Sequence, residues 1–291
     1  MASAGLRREA VVGGALTRWW ETGPADADGT LVAVHGFRGD HHGLQRIVDR
    51  LPDVRIVSPD LPGFGESGTL PHRHTIAAYA DWLIDFAAVT ATRRRPFTVL
   101  GHSFGTIVVA AALDRGLAPD RVVLVNPIAS PAMRGPKAIG AAITAAWYGA
   151  ARVLPRRAGA ALLSAPALVD LMSVLTTTAS DAELRRWIRE EHRRYFSDFA
   201  TRDSVVEGFQ ASISDHVGAH AAAFAVPTLL IAADRDQITR LRDVEDLQDA
   251  IPASRLAILS GVGHLIHYER PDEAVAAIRD FLGLRVNGGP R

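Results

Sequence analysis

A serine, two aspartates and a histidine stand just after apolar runs, in the chain order Ser103, then Asp234 and Asp236, then His264. Ser103 lies in "FTVLGHSFGTIVVAAALDRG", between Gly101 and Gly105, where a short apolar run gives way to a small-residue run of helical period. A residue forced into so sharp a strand-to-helix bend crowds the positions two away on either side, and glycine there has no side chain to clash. A serine hydroxyl is a weak nucleophile at neutral pH and needs a base to take its proton as it attacks. An imidazole, with an ordinary pKa of about 6.5, can accept that proton and return it to a leaving group, which makes His264 the candidate base. A carboxylate must then hold the imidazole's tautomer and stabilise its protonated form, and Asp234 and Asp236 are both candidates. A serine before a helix also serves as an N-cap, and a loop histidine also packs or caps. The ordered set is what favours chemistry.

Positioning such groups takes a scaffold, and the pattern of the chain supplies one. Short β-branched runs occur at "TLVAVHG", "VRIVSPD", "FTVLGHS", "RVVLVNP", "PTLLIAAD" and "SRLAILSG", most of them followed by a helical segment. The clearest helices are expected at 75–89, 106–115, 238–250 and 272–281. Near-continuous apolar strands separated by helices imply an α/β fold, a mostly parallel sheet covered by helices on both faces. From about Ile128 to Ala225 no strand is expected, but helical patterns are, one of them starting at Ser180 and Glu183 with capping-box spacing. The economical division is a core of residues 1–127 and 226–291 with a helical lid inserted at 128–225. In an open parallel sheet ligands bind beyond the carboxyl ends of the strands, which is where His35-Gly36-Phe37, Ser103, the two aspartates and His264 fall.

Composition narrows the partners. Thirty-two basic residues balance 32 acidic ones for a formal charge of +0, so no global field draws in nucleic acid or an anionic membrane. Without cysteine there is no disulfide framework and no thiol nucleophile. The N-terminus lacks an apolar core of signal-peptide length, and a cytoplasmic location is expected. The most membrane-like stretch, 138–155, is cut below spanning length by Arg152 and Pro155, which leaves peripheral contact open but no membrane span.

The sequence resembles the α/β-hydrolase superfamily. The resemblance rests on the G-x-S-x-G elbow at 101–105, "HGF" at 35–37, "DLPGFGES" at 60–67, "AADRDQIT" at 232–239 and "GVGHLIHYERPDE" at 261–273. It covers roughly residues 10–127 and 226–283 and is weak in the insertion. It implies that the acid is the second carboxylate of the D-x-D turn, Asp236, with Asp234 shaping the turn. It also implies that the backbone amides of Phe37 and Phe104 form the oxyanion hole, with His35 bracing that turn. No cofactor and no metal are implied. The reaction so implied is carboxylic ester hydrolysis through an acyl-enzyme on Ser103, with the uncharged first half of the lid suiting an apolar acyl or aryl group. Carbon–carbon hydrolysis and acyl transfer use the same triad. Gly263-His264-Leu265 departs from the Gly-His-Trp often found in the carbon–carbon hydrolases. A non-enzymatic ligand receptor on this fold would often have lost a triad member, and here all three candidates are present.

Two other motifs resemble binding sites. "GFGESG" at 63–68 has the spelling of a dinucleotide loop, but Pro71 and two histidines follow where a helix should open, so a tight turn lining the pocket floor is expected. Asp40-His41-His42 and His72-x-His74 are expected to be solvated loop and helix-start residues, His102 and His267 structural, and Arg93-Arg94-Arg95 a surface turn.

Overall fold

The structure, a computed structural model, describes residues 5–91, 96–131 and 138–284, with the backbone alone for 138–143. The Arg93–Arg95 run therefore lies outside the described residues. Eight strands, β1 (Leu6–Val12), β2 (Ala15–Thr22), β3 (Thr30–Val34), β4 (Arg55–Pro59), β5 (Phe97–His102), β6 (Arg121–Val125), β7 (Thr228–Ala233) and β8 (Ser254–Leu259), form one sheet in the order β1-β2-β4-β3-β5-β6-β7-β8. The runs expected as strands are β3 to β8, and they pair in parallel.

The hairpin β1–β2 is additional to the sequence reading, and β2 joins β4 antiparallel. Its turn is Gly13-Gly14, both at positive φ (56° and 81°), the backbone that a two-residue hairpin turn demands and that glycine adopts without strain.

Along the central strands the side chains alternate between two cores. Val32, Val34 and Val99 face one layer, with helices α2 (Ile76–Thr90) and α3 (Phe104–Asp114). Leu31, Ala33 and Leu100 face the other, with α1 (Gln45–Val48) and, near the C-terminus, α11 (Pro271–Leu282). Helix α3 is buried along nearly its whole length, which explains its lack of polar periodicity.

Between β6 and β7 come α4 (Ala138–Val153), α5 (Arg156–Leu163), α6 (Pro166–Thr176), α7 (Ala182–Tyr195) and α8 (Arg202–Ser214). After β7 come α9 (Leu241–Ala250) and α10 (Ile266–Glu269). Helix α7 is capped by Asp181, whose carboxylate accepts from the Leu184 amide at 2.6 Å. The cap is therefore not Ser180, and the capping box occurs instead at Thr201 and Ser204, opening α8. Residues 156–176 are apolar enough to reach spanning length, a more membrane-like stretch than 138–155. Ser164 and Ala165 divide it into two helices, and α6 leaves Leu171, Val174 and Leu175 exposed.

The glycines of the elbow have a steric reason to be glycine. A Cβ on Gly105 would stand 2.4 Å from the Val34 carbonyl oxygen, and one on Gly101 would stand 2.6 Å from that of Gly105. Both obstacles are backbone and cannot step aside. Gly105→Ala is expected to lose about 3 kcal/mol of stability or more, at the upper end of overpacking costs. Urea unfolding of the variant reads this directly, and a wild-type midpoint would show that the elbow backbone can relax around a methyl group.

Candidate active site

Ser103 occupies the position before α3 with φ 52° and ψ −119° and makes no side-chain capping bond. The alternative role of N-cap is thus not taken, and the helix begins at Phe104, two residues earlier than its pattern predicts. Strained backbone of this kind costs roughly 1–3 kcal/mol and persists only where its surroundings fix it. Here the Ser103 amide bonds the Val125 carbonyl at 3.0 Å, and the Ser103 carbonyl accepts from both the amide and the hydroxyl of Thr106.

The Ser103 hydroxyl, so aimed, lies 2.7 Å from His264 Nε2. On the far side of the ring, His264 Nδ1 lies 2.9 Å from Asp236 Oδ2 and 3.1 Å from Oδ1. In such a chain Nε2 can take the hydroxyl proton, while the carboxylate holds Nδ1–H, and with it the ring's tautomer, and stays ionised.

Donors from three residues hold Asp236. Oδ1 accepts from the amides of Ile238 (2.7 Å) and Thr239 (3.1 Å), and Oδ2 from Asn126 Nδ2 (2.9 Å). Both amides are bonded as a capping side chain bonds a first helical turn, yet α9 starts only at Leu241, three residues later than the hydrophobic pattern predicts. Burial pushes the Asp236 carboxyl up, but the charge and hydrogen bond of His264 and the two amides outweigh it and hold the group at about 2. Asp234 instead accepts from the Gly261 amide at 2.7 Å and is exposed.

Several supporting residues escape the sequence reading. Asn126, at positive φ just after β6, aims its amide at Asp236, while among the described residues its own buried Oδ1 has no hydrogen-bond partner. The loop bearing His264 is held by Thr178, whose hydroxyl accepts from the Gly263 amide (2.8 Å) and donates to Glu269 (2.6 Å). Asn126 stands directly beyond a strand that the sequence does reveal, a signal that could have been used. Thr178 has no such mark.

His35, Gly36 and Phe37 follow β3. His35 Nε2 accepts from the Leu61 amide at 2.8 Å, which leaves Nδ1–H to bond the Gly36 carbonyl at 2.8 Å. Gly36 packs so close to the nucleophile that a Cβ on it would meet Ser103 Cβ at 3.3 Å. Phe104 is the first residue of α3, so its amide has no acceptor within the helix. Among the described residues the Phe37 amide also has none. Unpaired backbone donors of this kind are what an oxyanion hole is built from.

The pocket above Ser103 has an empty volume of about 780 Å³ counted to its open mouth. Phe37, Leu44, Met172, Phe196, Ile238 and Leu265 give it an apolar lining, Met172 and Phe196 coming from the inserted segment. His102 and His267 also line it. Burial drives the His102 imidazole down to about 3, the nearby His264 charge adding to this, and drives His267 well below the ordinary range. Both are neutral at physiological pH.

The glycine-rich loop at 63–68 is a tight turn, with Gly63 and Gly65 at positive φ, but it does not line this pocket. Its backbone bonds Asp198 and Ala200 of the inserted segment, so its role is to seat that segment. Asp40, His41 and His42 are not solvated as a set, because Asp40 and His41 are buried. They place ligand-type atoms within 4.8 Å of one another. Each imidazole, however, gives Nδ1 to a carboxylate, His41 to Asp60 and His42 to Asp40. The rings stack between Trp20 and Tyr195, which ties β2 to α7. His74 is likewise buried, against Tyr79.

The family model for the alpha/beta hydrolase fold matches residues 29–271, a span containing Ser103, Asp236 and His264. The chain belongs to this family, and that membership supports a hydrolase activity. Among curated proteins it is similar to the magnesium-chelatase 30 kDa subunit of Rhodobacter capsulatus, 28% identical over 278 residues, 91% of this chain and 90% of that one. It is also similar to the dihydrolipoyllysine-residue acetyltransferase component of the acetoin cleaving system of Pseudomonas putida, 34% identical over 127 residues. That match takes 42% of this chain but only 32% of the relative's length. Among solved structures, a thermophilic esterase from Thermogutta terrifontis with malate bound superimposes with a TM-score of 0.75 at 22% identity, covering 96% of this chain and 98% of that one. The names differ in chemistry, so the fold is the common ground.

Proposed function

We propose that this protein is a serine hydrolase that cleaves a carboxylic ester, or a similar acyl bond, of a small and relatively apolar molecule. The observation that carries the reading is the hydrogen-bonded run from Ser103 through His264 to Asp236. In this scheme His264 takes the Ser103 proton as Oγ bonds the acyl carbon, and the amides of Phe37 and Phe104 receive the oxyanion. Collapse of that intermediate expels the alcohol, which takes the proton from His264, and leaves an acyl-enzyme. A water then attacks with His264 again as base, releasing the acid and restoring the serine. The inserted helices act as a cap whose apolar lining receives the acyl or aryl group, and a cytoplasmic location belongs to the same reading.

Labelling with a fluorophosphonate, native protein against Ser103→Ala, tests the nucleophile, and turnover of aryl esters of increasing acyl length tests the substrate class. The native protein is expected to label and to hydrolyse the esters, and the alanine variant to do neither. Label retained by Ser103→Ala removes Ser103 from the mechanism. Label without ester turnover overturns ester hydrolysis in favour of acyl transfer or carbon–carbon cleavage.

A further inference from the structure

The turn that carries the Phe37 amide is held from two sides. On the core side His35 fixes Gly36, and the Gly39 amide bonds the Gly36 carbonyl at 3.1 Å. On the other side two consecutive side chains run into the inserted helices. The Phe37 ring meets Tyr148 of α4 and Phe209 of α8 at centroid distances of 5.9 and 6.1 Å, and those two rings stack on each other at 4.0 Å. The next residue, Arg38, has positive φ (60°) and is 1% exposed.

Its guanidinium spreads over three helices. Nη1 donates to the Tyr148 hydroxyl (3.2 Å), Nη2 to the Leu163 carbonyl (2.8 Å) and Nε to the Phe196 carbonyl (3.0 Å). Among the described residues no carboxylate lies within ion-pair distance of it. A buried cation without a counter-charge is costly. Leu163 ends α5 and Phe196 caps α7, so two helix C-termini, the negative ends of their dipoles, point at the guanidinium and supply that charge. Packing alone does not call for such an arrangement, because a methionine would fill the same space without needing three acceptors.

We propose that Arg38 is a positioning residue through which the inserted helices set the oxyanion turn, so that the insertion is part of the catalytic geometry as well as a wall of the pocket. This inference rests on the serine-hydrolase reading above. Only a rigid planar fork reaches acceptors in three fixed directions; an ammonium on a flexible stem does not reproduce it.

The test uses Arg38→Met and Arg38→Lys in the full chain, with kcat and KM on an aryl acetate and hydrogen exchange of the backbone. For Arg38→Met kcat is expected to fall about 10- to 100-fold, as for a displaced oxyanion donor, with KM changed by less than about threefold. Exchange is expected to quicken at the C-termini of α5 and α7 while β5 and β6 stay protected. Arg38→Lys is expected to restore little of the loss. Wild-type kcat in Arg38→Met overturns the proposal, whether or not exchange changes. Should that variant not fold, Tyr148→Phe removes one acceptor and keeps the ring; a several-fold fall in kcat supports the proposal and an unchanged kcat overturns it. Wild-type protein that neither labels nor turns over esters sinks the serine-hydrolase reading instead, so the two failures are distinct.

Discussion

Asp236→Asn is expected to lower kcat on aryl esters about 10⁴-fold, while Asp234→Asn leaves it within about threefold. The reason lies in what surrounds each carboxylate. The Asp236 carboxylate accepts from the Ile238 and Thr239 amides, the Asn126 amide group and His264 Nδ1. An asparagine must set its own NH₂ against one of these donors. Turned toward His264 it favours the tautomer with the proton on Nε2, and the ring then has no lone pair for the Ser103 hydroxyl. A 10⁴-fold loss is about 5.5 kcal/mol of transition-state stabilisation. Among the described residues the Asp234 carboxylate bonds only the turn, through the Gly261 amide, and its loss is expected to appear as a small drop in stability. Steady-state kinetics of both variants decide the matter. A large loss in Asp234→Asn with near-normal Asp236→Asn would reverse the two roles.

The sheet was legible because parallel strands buried on both faces must be apolar at nearly every position, as in "TLVAV" and "FTVLG". The order of Ser103, Asp236 and His264 was legible for a related reason: chemistry at the carboxyl end of a strand follows directly on an apolar run. The hairpin β1–β2 was missed because it carries a mixed, half-exposed pattern, and only its Gly-Gly turn gives it away. Arg38 and Thr178 were not legible at all. Their partners lie 158 and 91 positions away, and a polar residue that bonds backbone carbonyls or a lone distant carboxylate leaves no periodicity. The histidines show the same limit from the other side: adjacency in sequence said loop, whereas Asp60 and Trp20 bury His41.

Acid is expected to unfold this protein well before it protonates Asp236. His102 and His192 are buried as neutral imidazoles, and burial holds each at about 3; His267 is driven below the ordinary range for the same reason, with the charges of neighbouring histidines adding to it. Among the described residues neither ring nitrogen of His192 nor Nδ1 of His267 has a hydrogen-bond partner, so nothing offsets the cost of charging them. In the unfolded chain each takes up a proton at about pH 6.5. Between that value and about 3 the unfolded state binds more protons than the native one, so this contribution is fully present above pH 6.5 and is lost as pH falls. At pH 5 His102 and His192 each remove about 2 kcal/mol, and His267 acts in the same direction, against a total stability of roughly 5–15 kcal/mol for an ordinary domain. His42 opposes the trend, because its imidazole, though lowered by burial, is raised overall by Asp40, but it is one histidine against five, burial lowering His35 and His74 as well. His192 does not itself line the pocket, although it packs on Phe196 and Tyr268, which do, and unfolding of His192→Leu reads its part in stability without any measure of catalysis. Urea unfolding at pH 7 and pH 5 is expected to show a loss smaller by about 2 kcal/mol in that variant than in the native protein. Equal losses in the two proteins would mean that His192 finds a proton or a water inside the fold.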